Sequence, residues 1–222
     1  MPRERRCGVQ VQSDVDSMSA EPQATAKALR AFLLGLDDVI GTHGTEGLLR
    51  LGGVPQYIRN YPPDTEERNG YLLRHFGAVN RALFDVYGAR GARAIMQRVG
   101  RAQASHGLEE SAALVNVARA AMKLVPLHQR VSLVLESTGR AMQDQLDIVM
   151  RSSREHDQFF VEIQHCPYCI DWQNSAPVCY SMIGFLHRVL QRATGGTETI
   201  EEIECCAKGA AVCKYRITLN LE

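Results

Sequence analysis

Apolar positions in this chain recur every three to four residues over most of its first two thirds, and then the period shortens. Between Ala24 and Ile40 the residues Ala28, Leu29, Phe32, Leu33, Leu36 and Val39 form one helical stripe, and Gly41 supplies a stop. A short helix over Thr45 to Leu51 follows. Four further helical windows are predicted near 67 to 87, 90 to 106, 109 to 123 and 126 to 145, separated by GARG, SHGLEES and LVPLHQ. From about Asp147 the pattern changes. The stretches IVMRSSRE and QFFVEIQHC flank His156-Asp157 and read as a hairpin. Ser181 to Ala193 returns to helical spacing, with Met182, Phe185, Leu186, Val189 and Leu190 on one side. Two last strands, ETIEEIECCA and VCKYRITLNL, are joined through a Lys208-Gly209 turn. Helices preceding a small antiparallel sheet, without strict βαβ alternation, give an α+β fold.

Organisation follows from where this pattern fails. Residues 1 to 22 are polar and aperiodic, so they are expected to form a flexible tail. The segment GGVPQYIRNYPPDTEERNG concentrates prolines and turn formers, and divides an N-terminal helical arm (residues 23–60) from a main ligand-binding domain (residues 61–222). The arm's leucine-rich stripe from Phe32 to Leu51 exceeds what one small core needs, which suggests a homodimer. Charge adds little: 25 Lys and Arg balance 25 Asp and Glu in 222 residues, so no nucleic-acid partner is indicated. No apolar run is long enough for a membrane span or a secretory signal, so a cytoplasmic location is expected. In that reducing compartment the odd number of cysteines, seven, argues for a metal site or packing thiols over disulfides.

Three of those cysteines fall in ETIEEIECCAKGAAVC, residues 198 to 213, among four glutamates. Cys179 opens the preceding helix, Glu202 and Cys205 lie three apart on one strand, and Cys213 begins the next. Three thiolates and a carboxylate suit one tetrahedral Zn2+, which accepts soft sulfur and borderline oxygen ligands. On a regular strand Glu202 and Cys205 would point to opposite faces, so this set requires a bulge or strand end near Glu204, with Cys206 facing away. Cys166-Pro-Tyr-Cys169 is a second candidate: an alternative ligand pair, a second site, or a redox-active dithiol. The histidines show no i, i+4 pair, so no helical His-His site is expected.

The run PVCYSMIGFLHRVLQRATGG followed by IEEIECCAKGAAVCKYRI resembles the 4-vinyl reductase domain, a Cys opening a Gly-containing helix followed by Glu-x-x-Cys, Gly and Cys; here these are Cys179, Gly184, Glu202, Cys205, Gly209 and Cys213. The domain is related to the sensor domain of phenol- and xylene-responsive activators. In size and in its NYPPDTEERNG segment the chain looks most like the bacteriochlorophyll-pathway, BchJ-type members. The resemblance implies zinc ligands at Cys179, Glu202, Cys205 and Cys213, and a fold of the ligand-binding type shared with nitric-oxide-signalling and Golgi-transport proteins. It also implies an apolar cavity between helices and sheet for a hydrophobic small molecule, in BchJ-like members a chlorophyll-type tetrapyrrole such as a protochlorophyllide, held by a carrier or sensor. His165, Tyr168 and Trp172 are candidates to orient that ligand. The family name suggests a reductase acting on a divinyl substrate, yet no G-x-G-x-x-G follows a strand and no nucleophile elbow is present, so no catalytic residue is assigned. A binding module is favoured over an oxidoreductase; an aromatic-ligand regulatory module is a further alternative.

Overall fold

The computed structural model describes residues 21–108, 125–196 and 198–220, the side chains of residues 192 and 193 excepted. The expected tail up to residue 20 and the helical window 109 to 123 lie outside the described residues.

Helix α1 spans Ala26–Leu51, and its first turn is capped by Thr25, whose hydroxyl accepts from the Ala28 amide at 3.2 Å. Gly41 leaves helical geometry with φ 75° and ψ 158°, so the expected stop and the following short helix are both present inside one element. Helix α2, Arg74–Leu108, is likewise interrupted at Gly88, φ 66°. It begins several residues later than its periodicity predicts. The cause is tertiary: Leu72 forms an isolated antiparallel bridge with Gln23, with Ala24 N–H bonded to Tyr71 O at 2.7 Å and Leu73 N–H to Pro22 O at 3.1 Å. Those hydrogen bonds hold the backbone extended where propensity alone would continue the helix. Helix α3, Leu127–Leu146, buries Val131, Leu135, Thr138, Met142 and Leu146, one stripe of an amphipathic surface.

Strands β1 (Met150–Glu155) and β2 (Gln158–Ile163) form the expected hairpin about a left-handed His156, φ 55°. Helix α4 is Tyr180–Thr194, and β3 (Glu198–Glu204) and β4 (Cys213–Leu219) complete the sheet. Its order is β1-β2-β4-β3, with every neighbouring pair antiparallel. Phe159, Val161 and Ile163 of β2 and Cys213, Tyr215, Ile217 and Leu219 of β4 are buried on the face that carries α3 and α4. Helix α4 is sandwiched between that sheet and α2, and α1 lies on the far side of α2. One apolar cluster runs from Leu29 and Phe32 through Phe76 and Leu186 to Ile217. Phe32, Leu33, Leu36, Leu48 and Leu49, the stripe that suggested a homodimer, are spent inside this cluster, while Leu51 is exposed. Among the described residues no helix is long and apolar enough to cross a membrane.

Candidate metal centre and adjoining cavity

Sheet register decides which thiols meet. Ile163, the last residue of β2, pairs with Cys213, the first of β4, so the chain leaving β2 toward Cys166 and Cys169 emerges beside Cys213. At the same end of the sheet β3 gives way to Cys205. The β3–β4 ladder shifts between Glu202 and Glu204: Glu202 pairs with Tyr215 and Glu204 with Lys214. This irregularity is the bulge that the sequence required near Glu204, and it lets Glu202 and Cys205 share one side of the strand. Cys179 completes the group from the first turn of α4, its amide donating to Glu202 Oε2 at 3.1 Å.

Six donor groups therefore gather in the interior. Cys179 Sγ lies 3.8 Å from both Cys205 Sγ and Cys213 Sγ and 3.5 Å from Cys166 Sγ; Cys169 Sγ is 3.4 Å from Cys213 Sγ. Two quartets have all their donor atoms within 4.8 Å of one another: Cys179, Glu202, Cys205 and Cys213, and Cys166, Cys169, Cys179 and Cys213. All of these residues are buried. A zinc–sulfur bond of about 2.3 Å in a tetrahedron sets a sulfur–sulfur edge of about 3.75 Å, so the observed spacings have the scale of a tetrahedral thiolate site. Glu202 Oε1 is buried without a hydrogen-bond partner, an orphan acceptor of the kind that a cation satisfies. By distance, burial and donor chemistry the residues fit a soft divalent ion. Cys206 is buried but belongs to neither quartet; its amide donates to Cys213 Sγ at 3.3 Å.

Burial, reinforced by the negative sulfur of Cys205, pushes the Glu202 carboxyl up to about 10. An unfolded glutamate ionises near about 4.3, so the ion-free folded chain holds an extra proton between those limits and loses stability as pH rises through them. Glu202→Gln is expected to remove that dependence. In urea titrations without metal the variant should outlast the parent at pH 8 and match it near pH 4, while losing metal affinity; an ion-free parent whose midpoint is flat with pH would refute the assignment.

Beside this cluster lies a cavity of about 260 Å³ among α1, α2, α3 and α4. Ala28, Ala31, Ala104, Met142 and Phe185 supply apolar wall, and Gln103 and Thr138 supply polar groups. Tyr168 belongs to both regions. It sits between Cys166 and Cys169, lines the cavity, and donates its hydroxyl to Gln103 Oε1 at 2.7 Å. Asn80 donates from Nδ2 to Tyr168 O at 2.8 Å and to Val178 O at 3.1 Å, fixing both ends of the segment between the Cys166–Cys169 turn and Cys179. Of the three residues proposed from sequence to orient a ligand, Tyr168 alone lines this cavity. His165 is exposed, and Trp172 is half-buried against Phe84, ring centroids 4.9 Å apart, with Arg81 over its face. Gln103 and Asn80 carried no sequence signal, each being a single polar residue within a helical window.

Residues 159–219 match the sequence model of the 4-vinyl reductase domain. No curated protein matches the chain. Among solved structures it is similar to a double variant of Tt H-NOX, with a TM-score of 0.53 and 12% identity over 89% of this chain and 95% of that one. It is also similar to an H-NOX protein from S. oneidensis in the Fe(II)NO ligation state, with a TM-score of 0.53 and 12% identity over 86% and 99% of the two chains. The phenol-responsive sensory domain of the transcription activator PoxR, solved with phenol, aligns with a TM-score of 0.46 and 17% identity over 66% and 74%. The H-NOX likenesses concern the fold, and they agree with the α+β class read from the sequence. Every donor of the buried cluster lies within the matched segment, so the resemblance read at Cys179, Gly184, Glu202, Cys205, Gly209 and Cys213 is borne out there: over residues 159–219 this chain matches the 4-vinyl reductase domain.

Proposed function

We propose that this protein binds a hydrophobic small molecule in the cavity beside Tyr168, and that a zinc ion held by Cys179, Glu202, Cys205 and Cys213 braces the wall of that site. The observation that carries the reading is the cavity itself, largely apolar, with a tyrosine and a glutamine meeting at its edge. Zinc would supply cross-linking between α4 and the β3–β4 hairpin; a site closed by four protein donors is suited to structure. Tyr168 and Gln103 would orient a polar edge of the ligand, and the alanines and Phe185 would exclude water from the remainder.

Cavity size bears on which ligand. An apolar space of about 150 Å³ accepts benzene, so about 260 Å³ suits one or two fused rings. A carrier or sensor of a chlorophyll-type tetrapyrrole in bacteriochlorophyll biosynthesis, the ligand implied by the family resemblance, needs a wider chamber than this. The reading supported best is therefore a small aromatic compound. Calorimetric titration of the full chain with naphthalene, and separately with protoporphyrin, discriminates the two. Ala104→Phe, which fills the inner wall, should weaken naphthalene binding at least tenfold with the melting temperature little changed; undiminished binding by that variant would move the ligand elsewhere.

A further inference from the structure

The two donor quartets are not rivals for one position, because they share two members, Cys179 and Cys213. Two tetrahedra joined along an edge have six corners, and six donors are present: the shared pair, Cys166 and Cys169 on one side, Glu202 and Cys205 on the other. We propose that this site holds two divalent ions bridged by the thiolates of Cys179 and Cys213, a binuclear centre and not a single zinc. One ion takes Cys166 and Cys169 as its terminal ligands, the other Cys205 and Glu202. The proposal rests on the metal reading of the Cys179–Glu202–Cys205–Cys213 quartet and adds a second ion to it.

Geometry supports the shared edge. The bridging sulfurs are 3.8 Å apart, and the terminal-to-bridge distances are 3.5 Å for Cys166–Cys179, 3.4 Å for Cys169–Cys213 and 3.8 Å for Cys179–Cys205. These straddle the edge of about 3.75 Å that zinc–sulfur bonds dictate. A thiolate sulfur keeps lone pairs after its first metal bond, and soft ions accept such sharing. Preorganisation points the same way. Cys169 N–H bonds to Cys166 O at 3.3 Å, closing the C-x-x-C turn, and Asn80 anchors the carbonyl of Tyr168 inside that turn. The pair is thus held in place by the protein frame, as a ligand pair needs to be. Charge is the remaining consideration. One ion would leave two further sulfurs crowded against thiolates in a buried space, whereas a second ion compensates them.

Metal content of the purified full chain, measured by plasma mass spectrometry against amino-acid analysis, tests this. Two ions per chain are expected, falling to one in the Cys166→Ser/Cys169→Ser double variant and to one in the Glu202→Gln/Cys205→Ser double variant. Cobalt titration of the unmodified, ion-stripped chain gives a readout independent of variant folding. The electron paramagnetic resonance signal of high-spin Co(II) should grow to one equivalent and then decline toward two, because bridging thiolates couple the spins. One ion in the parent, unaffected by Cys166→Ser/Cys169→Ser, would overturn the second ion and leave the single-ion reading standing. A cobalt signal that stops at one equivalent, or climbs linearly to two, would likewise overturn the bridged pair. An ion lost with Cys166 and Cys169 but kept without Glu202 and Cys205, or no ion at all, would overturn both readings.

Discussion

Stripping metal from this protein with a strong chelator is expected to lower its melting temperature by about 10 °C or more, and Cys179→Ser should do the same with no chelator present. Cys179 stands at the start of α4, Cys205 just past the end of β3 and Cys213 at the start of β4, so an ion between them ties three elements that are otherwise joined by sheet hydrogen bonds and apolar contact. Structural zinc contributes on the order of 10 kcal/mol of apparent binding energy in small domains. Here a sheet and four helices are partly stable without it, so a fraction is the sensible expectation. A loss of about 4 kcal/mol moves the midpoint by about 8–16 °C for a chain of this size. Cys179→Ser removes a donor common to both quartets and should fall to the chelated level; Cys206→Ala, outside both quartets, should retain metal. Calorimetric scans of the four samples at one protein concentration decide the matter. A chelated protein that melts with the untreated one would show that the ion braces nothing.

How much of this arrangement was readable in advance depends on the range of the interactions concerned. The hairpin about His156-Asp157 and the stripe of α4 follow from local pattern and turn chemistry, and they appear where the sequence put them. The bulge between Glu202 and Glu204 was legible for a different reason: alternation places Glu202 and Cys205 on opposite faces, so a shared ligand role could be met only by a slip in register. The start of α2 was misread because Leu72 is held by Gln23, a partner far away in sequence. The leucine stripe of α1 is visible as a stripe, but no single-helix pattern says whether α2 or a second chain covers it. Nearness in sequence also misled: His165 and Trp172 flank the C-x-x-C turn yet lie away from the cavity, whereas Tyr168 between them turns inward to Gln103. For Cys166 and Cys169 the sequence left three roles open. What narrows them is the pairing of Ile163 with Cys213, a fact of sheet topology that spacing alone does not contain.

Gly184→Ala should be the most damaging single-methyl substitution in the chain, and Gly100→Ala its equal. Helices α2 and α4 cross at backbone contact: a Cβ at Gly184 would fall on the carbonyl of Gln97, and one at Gly100 on the carbonyl of Ser181, with the amide of Phe185 close by. Neither neighbour is a side chain that can rotate away, so the helices must separate or tilt. Overpacking of this kind costs about 1–3 kcal/mol where side chains can yield, and more is expected where two backbones collide. Glycine is otherwise a poor choice inside a helix, at about 1 kcal/mol relative to alanine, so its presence at both crossing positions reflects the close approach. Gly47, also within a helix but with open space where its Cβ would lie, provides the contrast; Gly47→Ala should be neutral or slightly stabilising. The crossing also reaches the metal centre, because Gly184 lies little more than a turn from Cys179 on the same helix. Any displacement of α4 carries the shared sulfur with it. Gly184→Ala is therefore expected to lower both the urea midpoint and the metal content, whereas Gly47→Ala alters neither. A Gly184→Ala protein with normal metal content and a midpoint indistinguishable from the parent would mean that α4 is not seated on α2 at backbone distance, and that the position of Cys179 is set by something other than this crossing.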